Sequence, residues 1–254
     1  MLHREPANRE YELDLFDRMV AGQTGERILL LEARGDMGKS TLLTAFERRC
    51  PADIPCVLID LKGQANGLHE VFYRLCDALG WEQFPHFVQC VQGLARIAVR
   101  RNILVGGQIQ VALQAPDEAG RQARRAELTQ ALFDDLHAWR GRLVLIFDTY
   151  EQADPEVQDW LAGPCLGRVR RMANLVVVIA GRRVPEESSE WVACCCHHRL
   201  GTIEDVEAWW TYVTNQPPLP VRREWVEGYC VALQGHPGQM VRMLASAARW
   251  GGVR

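Results

Sequence analysis

Residues 27–43 read RILLLEARGDMGKSTLL. A short apolar run, Ile28 to Leu31, leads into a loop with two glycines, and Lys39-Ser40-Thr41 opens a helical pattern. Residues 33–40 fit the phosphate-binding template G-x-x-x-x-G-K-[ST], with Ala33 at the first glycine position. The order carries the chemistry. A strand delivers the loop, and the backbone N–H groups of Gly35, Asp36, Met37, Gly38, Lys39 and Ser40 turn inward around an anionic phosphate. The helix starting near Lys39, with Thr41 in its first turn, adds its positive N-terminal end. Lys39 would reach the β/γ-phosphates, the Ser40 hydroxyl would ligate Mg²⁺, and Gly38 must be small for close backbone approach. Two departures stand out. Ala33 is small but takes positive φ less freely than glycine, and Asp36 places a carboxylate in an anion-binding loop, so its side chain is expected to point outward.

At 254 residues the chain has room for one large or two small domains and an ample core. Hydrophobic content of 48% and charged content of 24% are those of an ordinary globular protein. A net charge of −3 gives no global basic field, hence no clear nucleic-acid signal. No apolar run approaches the ~18–20 residues that span a bilayer, and the first residues are too charged for a signal peptide. Nine cysteines without a regular framework suggest free, mostly buried thiols. The expectation is a soluble, cytoplasmic protein with no membrane association.

Apolar runs alternate with helical patterns along residues 1–200. Leu13, Phe16, Met19 and Val20 are spaced as a helix; 56–61, 143–147, 175–180 and 192–200 read as strands. Helices are expected over 40–50, 69–79, in one or two pieces over 81–97, over 124–139, and around Gly163-Pro164. Alternation about Gly106-Gly107 in 102–113 suggests a hairpin or interrupted strand, and 117–125 a solvated loop or helix start. Near-continuous apolar strands between helices mean an α/β fold, a parallel sheet covered by helices on both faces. From residue 201 only helices are expected, in a small all-helical lid over 201–254. There Thr202 to Asp205 forms a capping box, Pro217-Pro218 closes the first helix, and two more follow over 225–233 and 239–250.

The second part of the site is Leu143 to Asp148, an apolar strand ending in Asp, the Walker B form. Ligands sit at the C-terminal ends of such strands, so Asp148 can hold the Mg²⁺ water shell opposite Ser40. Thr149 and Tyr150 stand where a water-orienting carboxylate would follow. Glu151 is the nearest candidate, to activate water or to cap the helix after Pro155. Arg182, after a buried strand, can reach a γ-phosphate, with Arg183 as the alternative. The guanine-reading N-K-x-D sequence is absent, which favours adenine.

Taken together, Asn8-Arg9-Glu10 with Glu12-Leu13, ARGDMGKSTLL, LVLIFDTYEQA, LVVVIAGRR, HHRLGTIEDVEAW and GHPGQM resemble the STAND class of signal-transduction P-loop ATPases, relatives of the AAA+ group. The resemblance spans nearly the whole chain and implies a P-loop NTPase core followed by a helical lid. It implies a switch gated by ATP and ADP that oligomerises on activation, with slow or conditional hydrolysis. Carried over by position, Arg9 lies near the adenine-side entry, Arg182 is the sensor arginine, and His236 and Pro237 lie on the lid against the nucleotide. The family continues into a winged-helix segment and a repeat sensor; the last residue here is Arg254, which implies either a fragment or a stand-alone module working with a separate protein partner or effector.

Three other features invite readings. Cys194-Cys195-Cys196-His197-His198 suggests metal, but strand neighbours face opposite ways and no C-x₂-C spacing exists, so core thiols are favoured. Late tryptophans suggest core or lid packing. Arg168, Arg170 and Arg171 form a basic spot, read as a solvated face. Two rival functions follow from the same residues: a small-molecule kinase using 84–125 for its acceptor, and a nucleotide-binding scaffold without turnover.

Overall fold

Why the strands are so uniformly apolar is visible in their packing. A computed structural model describes residues 5–63, 67–95, 106–215 and 218–251. Five parallel strands, β1 (Ile28–Glu32), β2 (Cys56–Asp60), β3 (Leu143–Asp148), β4 (Leu175–Gly181) and β5 (Cys195–Arg199), form one sheet in the order β2-β3-β4-β1-β5. Side chains alternate between its faces. Ile28, Leu30, Leu145 and Val177 enter one cluster, while Leu29, Leu31, Ile146 and Val178 enter the other.

The second face is covered by α1 (Glu10–Ala21) and α2 (Lys39–Arg49), whose Phe16 and Phe46 stack 4.2 Å apart. The first is covered by α3 (Leu68–Leu79), α4 (Pro85–Ala95), α5 (Gly106–Leu113), α6 (Glu118–Ala138), α7 (Pro155–Trp160) and α8 (Leu166–Val169). Trp160 sits among Phe72 and Phe133 there. A π-helical turn, Leu161–Cys165, containing Pro164, separates α7 from α8.

After β5 come α9 (Val206–Thr214), α10 (Arg223–Ala232) and α11 (Pro237–Gly251), with their own core of Ile203, Trp209, Val226, Met240 and Leu244. The sheet and helix pattern is the one expected. No helix among the described residues is long and apolar enough to cross a membrane.

Several local expectations are corrected. The segment read as a hairpin or broken strand is α5 from Gly106; residues 102–105 lie outside the described ones. Ile109 and Ala112 are buried while Val111 is 47% exposed, so burial follows i,i+3 spacing, not alternation. Helix α6 starts at Glu118, because Asp117 accepts the N–H of Gly120 at 2.7 Å and caps it. Likewise α9 is capped by Asp205, bonded to the N–H of Glu207 at 2.9 Å, and not by Thr202; its end at Thr214, ahead of Pro217-Pro218, is where the sequence pattern stops the helix, with Pro217 outside the described residues. All nine cysteines are free, and five are only half-buried, among them Cys195 and Cys196 on the edge strand β5. Trp191 and Trp209 are core residues, whereas Trp225 is 39% exposed.

Candidate functional site

The phosphate loop joins β1 to α2 at the C-terminal end of the sheet. Ala33 donates its N–H to Gly181 at 3.0 Å and does not adopt a positive φ, so alanine is accommodated there without strain. Positive φ falls instead on Asp36 (62°) and Gly38 (86°), the latter opening α2. Lys39 Nζ folds back onto the carbonyls of Ala33 (2.5 Å) and Arg34 (3.0 Å). Burial lowers its pKa, opposed by the charges of Glu151 and Asp148.

Ser40 and Asp148 meet, with the Ser40 hydroxyl donating to Asp148 Oδ2 at 3.2 Å. Burial raises the Asp148 pKa, and hydrogen bonds from Thr149 N–H (2.7 Å to Oδ1) and Ser40 offset part of the rise. A hydroxyl beside an ionisable carboxylate is the hard-oxygen donor set that a hydrated Mg²⁺ accepts. Thr149 itself has φ 62°, a strained value for a β-branched residue at the mouth of the site.

Glu151 lies in the turn Tyr150–Gln152, where Oε2 accepts the backbone N–H of Arg182 at 2.8 Å. It does not cap α7. The Arg182 guanidinium is mostly exposed, 3.7 Å from Glu151, and lies over Gly35. Asp36 turns its carboxylate outward, as its charge requires, but onto a partner: Arg242 of α11, at 3.0 Å. The Asp36 carbonyl accepts the N–H of Gly238 at 2.8 Å. Arg9 is buried and ties the loop to the start of the helical segment, donating to the carbonyls of Met37 (3.4 Å) and Gly201 (3.1 Å) and facing Glu12 at 3.6 Å. Desolvation lowers its pKa.

These groups line one cleft of about 700 Å³, which includes Arg9, Gly35 through Thr41, Asp148, Glu151, Arg182 and Pro237. His236 is not among the residues that line it, and its Nδ1 is buried and lacks a hydrogen-bond partner among the described residues. Lys62, Trp209, Tyr212, Val241 and Arg242 also line the cleft and were not anticipated. Lys62 follows β2 at the carboxyl edge of the sheet, a position that a strand-end search would have flagged. Trp209 ends the HHRLGTIEDVEAW stretch but was read as packing, while Tyr212, Val241 and Arg242 carry no motif. In the Cys194–His198 stretch, His197 faces Glu32 (3.1 Å) and Glu187 (3.4 Å), and His198 faces Glu12 (3.1 Å). Among the described residues no group of three or more His, Cys, Asp and Glu is arranged to hold a metal ion.

No family model and no curated protein matches the sequence. Solved structures do. Cdc6p from Pyrobaculum aerophilum superposes with a TM-score of 0.56 at 13% identity, covering 98% of this chain and 64% of that one. The Aeropyrum pernix Orc1 protein, solved in complex with DNA, gives 0.49 at 12% identity, covering 98% and 61%. The chain thus spans less than two thirds of the length of either. The likeness to Cdc6p bears on the fold alone, a parallel five-stranded sheet covered by helices.

Proposed function

We propose that the protein binds ATP and ADP with Mg²⁺ and acts as a nucleotide-gated switch of the STAND type. In this reading residues 1–200 are the ATPase core and 201–254 a lid whose position conveys the bound nucleotide to a protein partner, or to further copies of the chain. The observation that supports it best is the double link from Asp36 to α11, through Gly238 N–H and Arg242. A phosphate held by Gly35 to Thr41 would rest on the same loop that the helical segment grips, so phosphate and lid compete for one geometry.

Lys39 would neutralise the terminal phosphates, and Ser40 with Asp148 would hold Mg²⁺, which supplies further charge neutralisation when bound. Trp209, Tyr212 and Pro237 offer an apolar end suited to a base. Arg182 is exposed and one loop away, placed to read a γ-phosphate. Turnover is slow or conditional in this scheme, because Thr149 follows Asp148 and Glu151 is engaged by the Arg182 amide. That engagement equally favours the scaffold reading, in which nothing is hydrolysed. The kinase reading has less support: the described parts of 84–125 pack against α3 and α6 and do not line the cleft.

Light scattering after size exclusion, with Mg-ADP and with a non-hydrolysable Mg-ATP analogue, tests the switch. Assembly or expansion with the analogue alone is expected. Identical behaviour under both nucleotides, with binding verified by calorimetry, overturns it. A Glu151→Gln variant that hydrolyses ATP as the wild type does would remove Glu151 from the chemistry.

A further inference from the structure

A second cleft, also of about 700 Å³, lies at the opposite end of the sheet, beside the N-terminal ends of β1 and β4. Its walls are α6, the π-helical turn with α8, and residue Glu190. Phe133 and Met172 form the floor and Pro164 the lip.

The arginines here are held in place by neutral acceptors. Arg168 donates to the Pro164 carbonyl (3.0 Å) and to Gln130 Oε1 (3.2 Å), and its guanidinium lies 5.7 Å from the Phe133 ring centroid. Arg170 donates to the Glu190 carbonyl (3.0 Å), and its own carbonyl accepts from Arg27 (2.9 Å), whose Nε is buried and unpartnered. The Arg171 guanidinium has no hydrogen-bond or ion-pair partner among the described residues. None of these four forms an ion pair with a described carboxylate, in contrast to Arg49, Arg74 and Arg223, which do. Guanidiniums held in orientation by neutral acceptors and engaged in no ion pair with a described carboxylate, although Asp134 and Glu190 line the same cleft, can accept an external anion. The π turn that supplies the Pro164 carbonyl is itself a rare geometry, met mostly at functional positions.

We propose that this cleft docks an acidic segment of a partner protein. Carboxylates pair with Arg168, Arg170 and Arg171, and an apolar side chain settles over Pro164 and Met172. A nucleic-acid strand fits less well. Arg168 already covers the Phe133 face on which a base would stack. The site is independent of nucleotide binding.

The test is fluorescence anisotropy on the full chain with a fluorescein-labelled peptide, DEDFDELDE, at low ionic strength. A control peptide carries Ser for Phe and Leu, and a 20-nucleotide oligo-dT is the nucleic-acid probe. Saturable binding of the first peptide is expected, weakened about tenfold or more by Arg170→Glu/Arg171→Glu and by added salt. Arg171→Glu alone, at an exposed position whose guanidinium has no hydrogen-bond or ion-pair partner among the described residues, guards against misfolding and should give part of that loss. The proposal is overturned by absence of saturable binding or by affinity unchanged in both variants. It is also overturned if the serine peptide or oligo-dT binds as tightly as the first peptide.

Discussion

Asp36 and Arg242 stand 3.0 Å apart, joining the phosphate loop to a helix that begins some two hundred residues later. Both side chains are more than half exposed (59% and 62%), so the ion pair alone contributes below about 1 kcal/mol. The backbone fit beneath it is tighter. A Cβ added at Gly238 would fall 2.7 Å from Asp36 Cβ and 2.8 Å from the Asp36 carbonyl oxygen. Gly238→Ala should therefore destabilise by about 1–3 kcal/mol, as overpacking does, and Arg242→Ala by less than about 1. Denaturant titration of both variants checks the ranking; equal losses would show the ion pair to be the main link.

Lys39→Ala removes the cation nearest the predicted phosphates, and nucleotide affinity should fall about tenfold to a hundredfold, the scale of one or two charge-assisted hydrogen bonds. Ser40→Ala should weaken binding in Mg²⁺ yet leave it unchanged in EDTA, because the hydroxyl acts through the metal. Calorimetry under the two conditions separates the roles.

Glu151→Gln keeps an oxygen for the Arg182 amide but not a base. Nucleotide affinity should stay near wild type, and any steady-state ATP turnover should drop by about 10²–10⁴-fold, the range of a positioned general base. Retained turnover in a phosphate-release assay would leave another group, or none, in that position.

The pH dependence of binding follows from two directions. Asp148 has a raised pKa, from burial, so it takes up its proton at a higher pH than an ordinary carboxylate and Mg-nucleotide affinity should begin to fall correspondingly early on acidification. Lys39 has a lowered pKa, again from burial, so it loses its charge earlier than an ordinary lysine as pH rises, and affinity should fall there too. The pH window is thus narrowed from both sides. Asp148→Asn should remove the acid limb and, by taking away a charge that raises the Lys39 pKa, move the alkaline limb to lower pH, as read from a binding–pH profile.

Thr149 holds φ at 62°, where a β-branched residue is strained by about 1–3 kcal/mol. Thr149→Asn tolerates that region and should raise stability by about 1 kcal/mol, measured by thermal melting. An unchanged melting temperature would mean that the hydroxyl or methyl of Thr149 makes contacts that offset the strain.

The parts of the fold legible in the sequence were those with a local cause. Residues 143–147 and 175–180 are apolar on every position because both sheet faces are covered, and the turn at Gly38-Lys39 needs its own residue types. The remainder depends on partners distant along the chain. Of the two readings of 117–125, loop or helix start, a single side-chain bond at Asp117 selects the helix start. Ile109 and Val111 look like alternation until α3, α4 and α6 decide which is buried. Nothing near Asp36 announces Arg242, and nothing near Tyr212 announces a cleft; the π turn at Pro164 is visible only as a proline in a helical pattern.

The link between Asp36 and Arg242 spans 206 residues, and this separation bears on synthesis. A ribosome delivers about 5–20 residues per second, so the loop waits roughly 10–40 s for the helix that grips it. During that interval the Asp36 carboxylate and carbonyl face water, and the cleft lacks the wall supplied by α9 and α11. A ligand that touches both parts would consequently find its full set of contacts only once α11 has been made.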